Sequence, residues 1–257
     1  MATVQTSSLP DVRYFKSLNA LSGLSEKYIA YFLENARIKR YGKGKILFLE
    51  GDCVTSFYIV RSGWGKLFRN TEDGAEVITN FCKAGDLFSK SSITEESAHL
   101  SSAQIVEEAI IYEIPAHILR DAVKKDISLA LGILSDLSNS LNTLNKQIEH
   151  LSIMSSDQRI GCFFLHLLLY GNHQSSKAKL PCNKEALANY LGMKPETFSR
   201  SLPKLKAIGV TVNSNYIEIN SAMALRNHTC VSCSSAGACP ACPESADSLN
   251  KKHMASF

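Results

Sequence analysis

The chain has 257 residues, 45% of them hydrophobic and 20% charged, with a formal net charge of +4. That balance is ordinary for a soluble protein, and the length leaves room for two modest domains. The most apolar run, Cys162 to Tyr170, carries His166 and is too short to span a bilayer. Met1 to Pro10 is polar and lacks a basic segment followed by an apolar one, so no secretory leader is expected and a cytoplasmic location is.

Leu21 to Asn35 predicts one or two helices. From about Ile38 to Pro115 the pattern is strand-like. Ile46 to Leu49, Phe57 to Val60, Lys66 to Phe68, Val77 to Phe81 and Ala109 to Tyr112 are short β-branched or aromatic runs. Glycines at 44, 51, 63, 74 and 85 punctuate them at intervals of 7, 12, 11 and 11. Regular turn glycines between short strands predict an antiparallel barrel or roll.

From Asp126 to Leu151 the period changes. Ile127, Leu131, Leu134, Leu137, Leu141, Leu144, Ile148 and Leu151 follow at spacings of 4, 3, 3, 4, 3, 4 and 3. No glycine falls between Gly132 and Gly161 to interrupt them. Such a nearly heptad seam pairs with its symmetry mate as a coiled coil, or packs as an amphipathic face on its own domain.

Asp157 to Tyr170 predicts a further helix and Gly171 to Lys179 a polar loop. Asn183 then caps a short helix that ends at the turn glycine Gly192, and a second helix opens on Pro195. Gly209 closes that second helix. Val210 to Val212 and Tyr216 to Ile219, around Asn213-Ser214-Asn215, form a hairpin, which completes a winged helix-turn-helix. Pro203, inside the second helix, removes a hydrogen bond at about 3 kcal/mol, and a kink is expected there.

The start of that helix carries side chains of the kinds that read DNA in other helix-turn-helix proteins. Arginine pairs with guanine O6 and N7 through two hydrogen bonds, and glutamate accepts from the amino group of cytosine. Glu196, Thr197, Ser199 and Arg200 are the candidate reading set, with Lys194 and Lys204 beside them. Between Ser155 and Leu225 eight Lys/Arg face four Asp/Glu, so the whole formal excess falls on this region, as phosphate contact requires.

After Arg226 the chain turns poor in large apolar residues and rich in Ser, Ala, Cys and Pro. Cys230, Cys233, Cys239 and Cys242 form two CxxC pairs five residues apart. A thiolate quartet selects zinc or an iron–sulfur cluster, and Cys239-Pro240 and Cys242-Pro243 share a feature of some iron–sulfur runs. Redox thiols and an inert tail are the other readings. Cys53, Cys82, Cys162 and Cys182 are expected as buried small hydrophobes. No Gly-rich phosphate loop, His-Glu-x-x-His or Gly-x-Ser-x-Gly occurs, so an enzyme is not expected.

A β-roll, a long helix and a winged helix-turn-helix in this order resemble the Crp/Fnr family of bacterial transcription regulators, from about Tyr14 to Ser221. The marks are Gly51, Gly63-Trp64, Asp73-Gly74-Ala75-Glu76, Ala84-Gly85-Asp86-Leu87-Phe88 and Glu196-Thr197-Phe198-Ser199-Arg200. The resemblance implies an α+β chain. Its parts are a jelly roll of the cyclic-nucleotide-binding type at 14–125, a dimerisation helix at 126–154, a DNA-binding domain at 155–225 and a cysteine-rich tail at 226–257. It also implies a homodimer acting on double-stranded DNA and RNA polymerase, with no membrane. Leu134, Leu137, Leu141, Leu144, Ile148 and Leu151 would then form the dimer seam.

Glu196, Ser199 and Arg200 match the Glu-x-x-Ser-Arg of Fnr-type members, which implies a TTGAT half-site. Pro195 through Arg200 also resembles the branch that responds to nitric oxide. Cyclic-nucleotide binders carry a Gly-Glu pair where this chain has Ser89-Lys90. Counting back from Glu113-Ile114-Pro115 puts His99 at their phosphate-gripping arginine. Lys90 and His99 therefore argue against a cyclic nucleotide. His99 is either a contact for another ligand, even haem, or a polar surface residue. Oxygen-sensing members hold an iron–sulfur cluster mostly on N-terminal cysteines, and none precedes Cys53 here. The tail resembles the position used by other Fnr-type regulators. The expected function is a regulator responding to oxygen, nitric oxide or redox state through that tail. The alternative is a cyclic-nucleotide- or haem-binding module with a structural zinc tail.

Overall fold

The run Phe57-Tyr58-Ile59-Val60 shows no polar alternation because both of its faces are covered. The computed structural model describes residues 9–21, 24–89, 98–170 and 176–230. Phe57 and Ile59 enter one apolar cluster and Tyr58 and Val60 another. Side chains alternate across a strand, so a strand between two cores reads as continuous apolar sequence.

That strand is β3 (Ser56–Asn70), central in an antiparallel sheet. Before it come α1 (Leu9–Ser17), a 3-10 turn at Asn19–Leu21, α2 (Glu26–Asn35), β1 (Arg37–Tyr41) and β2 (Ile46–Phe48). After it come β4 (Glu76–Cys82), β5 (Leu87–Phe88), β6 (Ser102–Pro115), α3 (Ala116–Lys125) and α4 (Ile127–Ile153). The sheet order is β1-β6-β3-β4, with β2 on β6 and β5 on β3. The first cluster joins Phe15 of α1 and Ile29 and Phe32 of α2 to Tyr112, Ile114, Ile118 and Leu129. Asp11 of α1 is buried, accepts a 2.5 Å bond from the Tyr112 hydroxyl and pairs with Arg61 at 3.1 Å. The second cluster lies between Phe48, Phe88, Ile105 and Ile111.

Two strands expected at Phe57 to Val60 and Lys66 to Phe68 are one. Gly63 is not the turn between them but sits where β3 shifts register against β6. Its φ is +84°, and a Cβ there would lie 2.2 Å from the Glu108 carbonyl oxygen. A bulge of this kind bends a long strand without ending it. Of the four cysteines expected inside, Cys82 and Cys162 are buried. Cys53 is exposed, because it lies on an isolated bridge to Ala98 beyond the strands, and Cys182 is only half-buried.

The chain divides into two units, residues 1–143 and 144–257. In the second unit α5 (Ser156–Tyr170) precedes β7 (Lys177–Lys179), α6 (Lys184–Tyr190) and α7 (Pro195–Ala207). Then follow β8 (Val210–Val212), β9 (Tyr216–Ile219) and α8 (Ala222–Thr229). The wing has three strands, β7-β9-β8, rather than a hairpin alone. Lys177-Ala178-Lys179, expected as loop, becomes a strand by pairing with Tyr216 to Glu218. Ile160, Phe164, Leu187, Phe198, Leu205, Ile217 and Leu225 are each buried in this unit. Helix α8 carries regular structure to Thr229, beyond the change of composition at Arg226.

Candidate nucleic-acid interface

The turn between α6 and α7 is built by local chemistry. Asn183 Oδ1 accepts a 2.8 Å bond from the Ala186 amide and caps α6. Gly192 turns the chain at φ +63°, and its amide donates to the Asn189 carbonyl at 3.0 Å. Pro195 occupies the first helical position of α7, where its missing N–H costs nothing. Phe198, Ser201 and Leu205 turn inward. The buried Ser201 hydroxyl is satisfied by the Thr197 carbonyl at 3.0 Å.

With that face buried, the other is presented to solvent. Glu196, Ser199 and Arg200 are exposed, Thr197 is half-buried, and Lys194 flanks them exposed as the N-cap. The expected reading set therefore lies on one outward face of one helix start. Helix α7 runs unbroken through Pro203 to Ala207, so the proline lies beyond the first turn, which carries the expected reading set, without ending the helix.

Lys204, expected beside the reading set, has another partner. Its Nζ lies 3.1 Å from Asp157 Oδ1, and His228 Nε2 donates to Asp157 Oδ2 at 2.7 Å. Burial pushes the Asp157 carboxyl up. The hydrogen bonds from Lys204 and His228 outweigh that and hold it below the usual carboxylate range. Gln158 Nε2 also donates to the His228 carbonyl at 3.4 Å, and a Cβ on Gly161 would meet Thr229 Oγ1 at 2.3 Å. Asp157 thus ties α5, α7 and α8. Sequence reasoning counted it only as one acid among four. Its partners are 47 and 71 residues away, so no local pattern marks it.

The other expected sites fare unevenly. His99 is not a surface residue: it is 4% exposed, and its ring stacks on Phe48 with centroids 3.6 Å apart. Its Nδ1 is 3.3 Å from Ser89 Oγ, and burial holds its pKa below the ordinary histidine value. The backbone fixes it, since its amide and carbonyl bond Asp52 and Gly51. Lys90 lies outside the described residues, as do Cys233, Cys239 and Cys242. Cys230 is half-buried at the C-cap of α8. Among the described residues no group of three or more His, Cys, Asp or Glu is placed to hold a metal.

On α4 the seam residues Leu134, Leu141, Leu144, Ile148 and Leu151 are 50–62% exposed. Leu137 departs from the expected seam. It is half-buried and packs on the first cluster, because it continues the inward stripe of Leu129 and Ile133 at spacings of four. No helix among the described residues is long and apolar enough to cross a membrane.

Comparison with known proteins gives this geometry its context. A cyclic nucleotide-binding domain model matches residues 38–126, and a Crp-like helix-turn-helix model matches residues 158–228. The chain is 35% identical over 193 residues to the anaerobic regulatory protein of Haemophilus influenzae, covering 74% of this chain and 75% of that one. It is 34% identical over 187 residues to the fumarate and nitrate reduction regulatory protein of Vibrio cholerae, covering 71% and 74%. The solved structure of FixK2 from Bradyrhizobium japonicum shares the fold, with a TM-score of 0.65 at 21% identity over 75% of this chain and 96% of that one. With a β-roll, a long helix and a helix-turn-helix in order, the chain belongs to the Crp/Fnr family of DNA-binding transcription regulators.

Proposed function

We propose that this regulator binds as a dimer to an inverted repeat with TTGAT-like arms and adjusts transcription to oxygen, nitric oxide or redox state. The observation that carries the reading is the outward face of α7, with Glu196, Ser199 and Arg200 exposed over a buried Phe198 and Leu205. Arg200 would take guanine, Glu196 the cytosine or adenine edge of the complementary strand, and Ser199 would lie near a thymine. Lys194 and Lys206, both exposed, suit phosphates.

The dimer is supported by the aliphatic stripe of α4. Large apolar residues repeated along one face are rarely left to water, and a second copy offers the matching stripe. Two reading helices would then lie about one DNA turn, ~34 Å, apart. Anaerobic control is supported by the likeness to the anaerobic regulatory protein of Haemophilus influenzae. The sensor is proposed on Cys230, Cys233, Cys239 and Cys242. An iron–sulfur centre there would supply redox-sensitive thiolate ligation, and zinc would only order the tail.

The cyclic nucleotide-binding model over residues 38–126 favours a second reading, a small ligand in the roll. Against a cyclic nucleotide, the position of the phosphate arginine holds a buried, stacked imidazole, His99. The discriminating experiment is binding to a TTGAT inverted repeat and to a scrambled duplex, with and without cyclic AMP and with and without oxygen. Preference for the repeat, lost on oxidation and indifferent to cyclic AMP, supports the first reading. Saturable cyclic AMP binding that changes DNA affinity supports the second.

A further inference from the structure

Two lysines project from the second half of α7, and the fold uses them differently. Lys206 is exposed. Lys204 reaches back to Asp157 at 3.1 Å, and of this pair the anion is the buried member, 7% exposed against 66% for the lysine side chain. A buried carboxylate that loses one of its two donors keeps its charge but not its compensation. A DNA phosphate competing for Lys204 must therefore outbid a fixed internal partner. His228 holds the other carboxylate oxygen, so Asp157 cannot simply swing out after Lys204.

Lys204 also lies four residues after Arg200, one turn further along the same face. Anchoring Lys204 to α5 consequently fixes the rotation at which Arg200 meets a base edge. We infer that Asp157 is a positioning residue for DNA discrimination: it withholds Lys204 from the phosphate backbone and sets the roll of α7. Phosphate contacts strengthen binding to every sequence, whereas base contacts separate one from another. Removing a cation from the first class and using it to aim the second raises the ratio between them. The inference rests on the reading of α7 as the major-groove helix.

The test is the salt dependence of binding by full-length protein to a TTGAT inverted repeat and to a scrambled duplex. Wild type is compared with Lys204→Gln, Asp157→Asn, Asp157→Glu and the Asp157→Asn/Lys204→Gln double variant. Lys204→Gln is expected to leave the slope of log K against log salt unchanged. Asp157→Asn is expected to steepen it by about 0.9 per protomer, one new phosphate contact, and to narrow the preference for the repeat. The double variant returns to the wild-type slope, and Asp157→Glu keeps it. A slope lowered by about 0.9 in Lys204→Gln overturns the inference, as does an unchanged slope in folded Asp157→Asn. Should Asp157→Asn lose its folded circular dichroism, the Lys204→Gln slope decides alone. Wild-type protein that ignores the repeat would instead break the reading of α7, and slopes on the scrambled duplex would still test the tether.

Discussion

Leu151 and Gly192 are in contact: a Cβ built on Gly192 would stand 2.7 Å from Leu151 Cδ2. The last turns of α4 thus pack on the turn that leads into α7, within the second unit. Gln147 of the same helix donates to the Tyr190 hydroxyl at 2.8 Å, and Arg159 Nη1 lies 3.5 Å from the Gly192 carbonyl. The turn is held from two helices.

Gly192→Ala should therefore lose on two counts. A side chain at φ +63° costs about 1–2 kcal/mol, and Leu151 must also rotate away. Denaturant unfolding should show the stability loss, and DNA titration a weaker preference for the repeat. In a Leu151→Ala background the steric part should vanish and the strain remain. Equal losses in both backgrounds would show that the contact carries no energy.

Arg200→Ala should cost about 1–3 kcal/mol on the repeat and relax discrimination at the guanine, because a bidentate pair is lost. Lys206→Gln should weaken binding to all duplexes alike. Titrations against repeats altered one base pair at a time separate the two effects. An equal loss on repeat and scrambled DNA for Arg200→Ala would remove it from the reading set.

Much of this was legible in the chain because the signals were local. Asn183, Gly192, Pro195 and Gly209 each act within one turn of backbone, and each lies where capping and turn chemistry put it. What was not legible depended on distant partners. Gly63 announced a positive φ, but a bulge and a turn make the same demand, and only the Glu108 carbonyl decides between them. Lys177-Ala178-Lys179 has no strand propensity of its own and is recruited by β9. Helix α1 has no strong local signal, because what holds it, Phe15 on Tyr112 and Asp11 on Tyr112 and Arg61, lies up to about a hundred residues away. The Phe48 ring that covers His99 is also distant in the chain, and the Asp157 clasp is invisible for the same reason.

Burial of His99 gives a pH prediction. Desolvation lowers its folded-state pKa, and the attraction of Asp52 only partly opposes this. An unfolded imidazole titrates near about 6.5, so below that pH the unfolded chain binds a proton that the buried ring resists. The stability this neutral ring contributes is present above about pH 6.5 and is lost as pH falls toward the depressed folded value. His99→Gln should make the fall in denaturation midpoint shallower between about pH 6.5 and 5. His150, lowered by burial too, contributes equally to both proteins and leaves the difference intact. An identical pH slope in the variant would contradict the assignment.

The aliphatic stripe of α4 gives an assembly prediction. Leu141 and Leu144 are exposed in the single chain, so a charge at either is tolerated by the fold itself. In a paired seam the same charge is desolvated, at a cost exceeding the about 1.5–3 kcal/mol that burying a leucine contributes. Leu141→Lys and Leu144→Glu should yield folded monomers with little affinity for the repeat. Sedimentation showing an unchanged dimer in both would sink the seam.

The tail cysteines can be tested separately from the fold. Leu225 and Thr229 are the last buried anchors of α8, and Cys230 follows at its C-cap. Cys233 and Cys239 come after every described element, so Cys233→Ser and Cys239→Ser should leave the unfolding midpoint of the roll unchanged. If the four thiolates hold a redox centre, anaerobically reconstituted wild type carries iron and acid-labile sulfide and absorbs broadly in the visible. Both serine variants should then lose iron, sulfide and colour together, and their affinity for the repeat should no longer respond to oxygen or nitric oxide. Colourless protein with one zinc per chain would make the tail structural, since zinc has no redox chemistry to couple to DNA. Metal-free protein whose redox response survives both substitutions would place the sensor elsewhere in the chain.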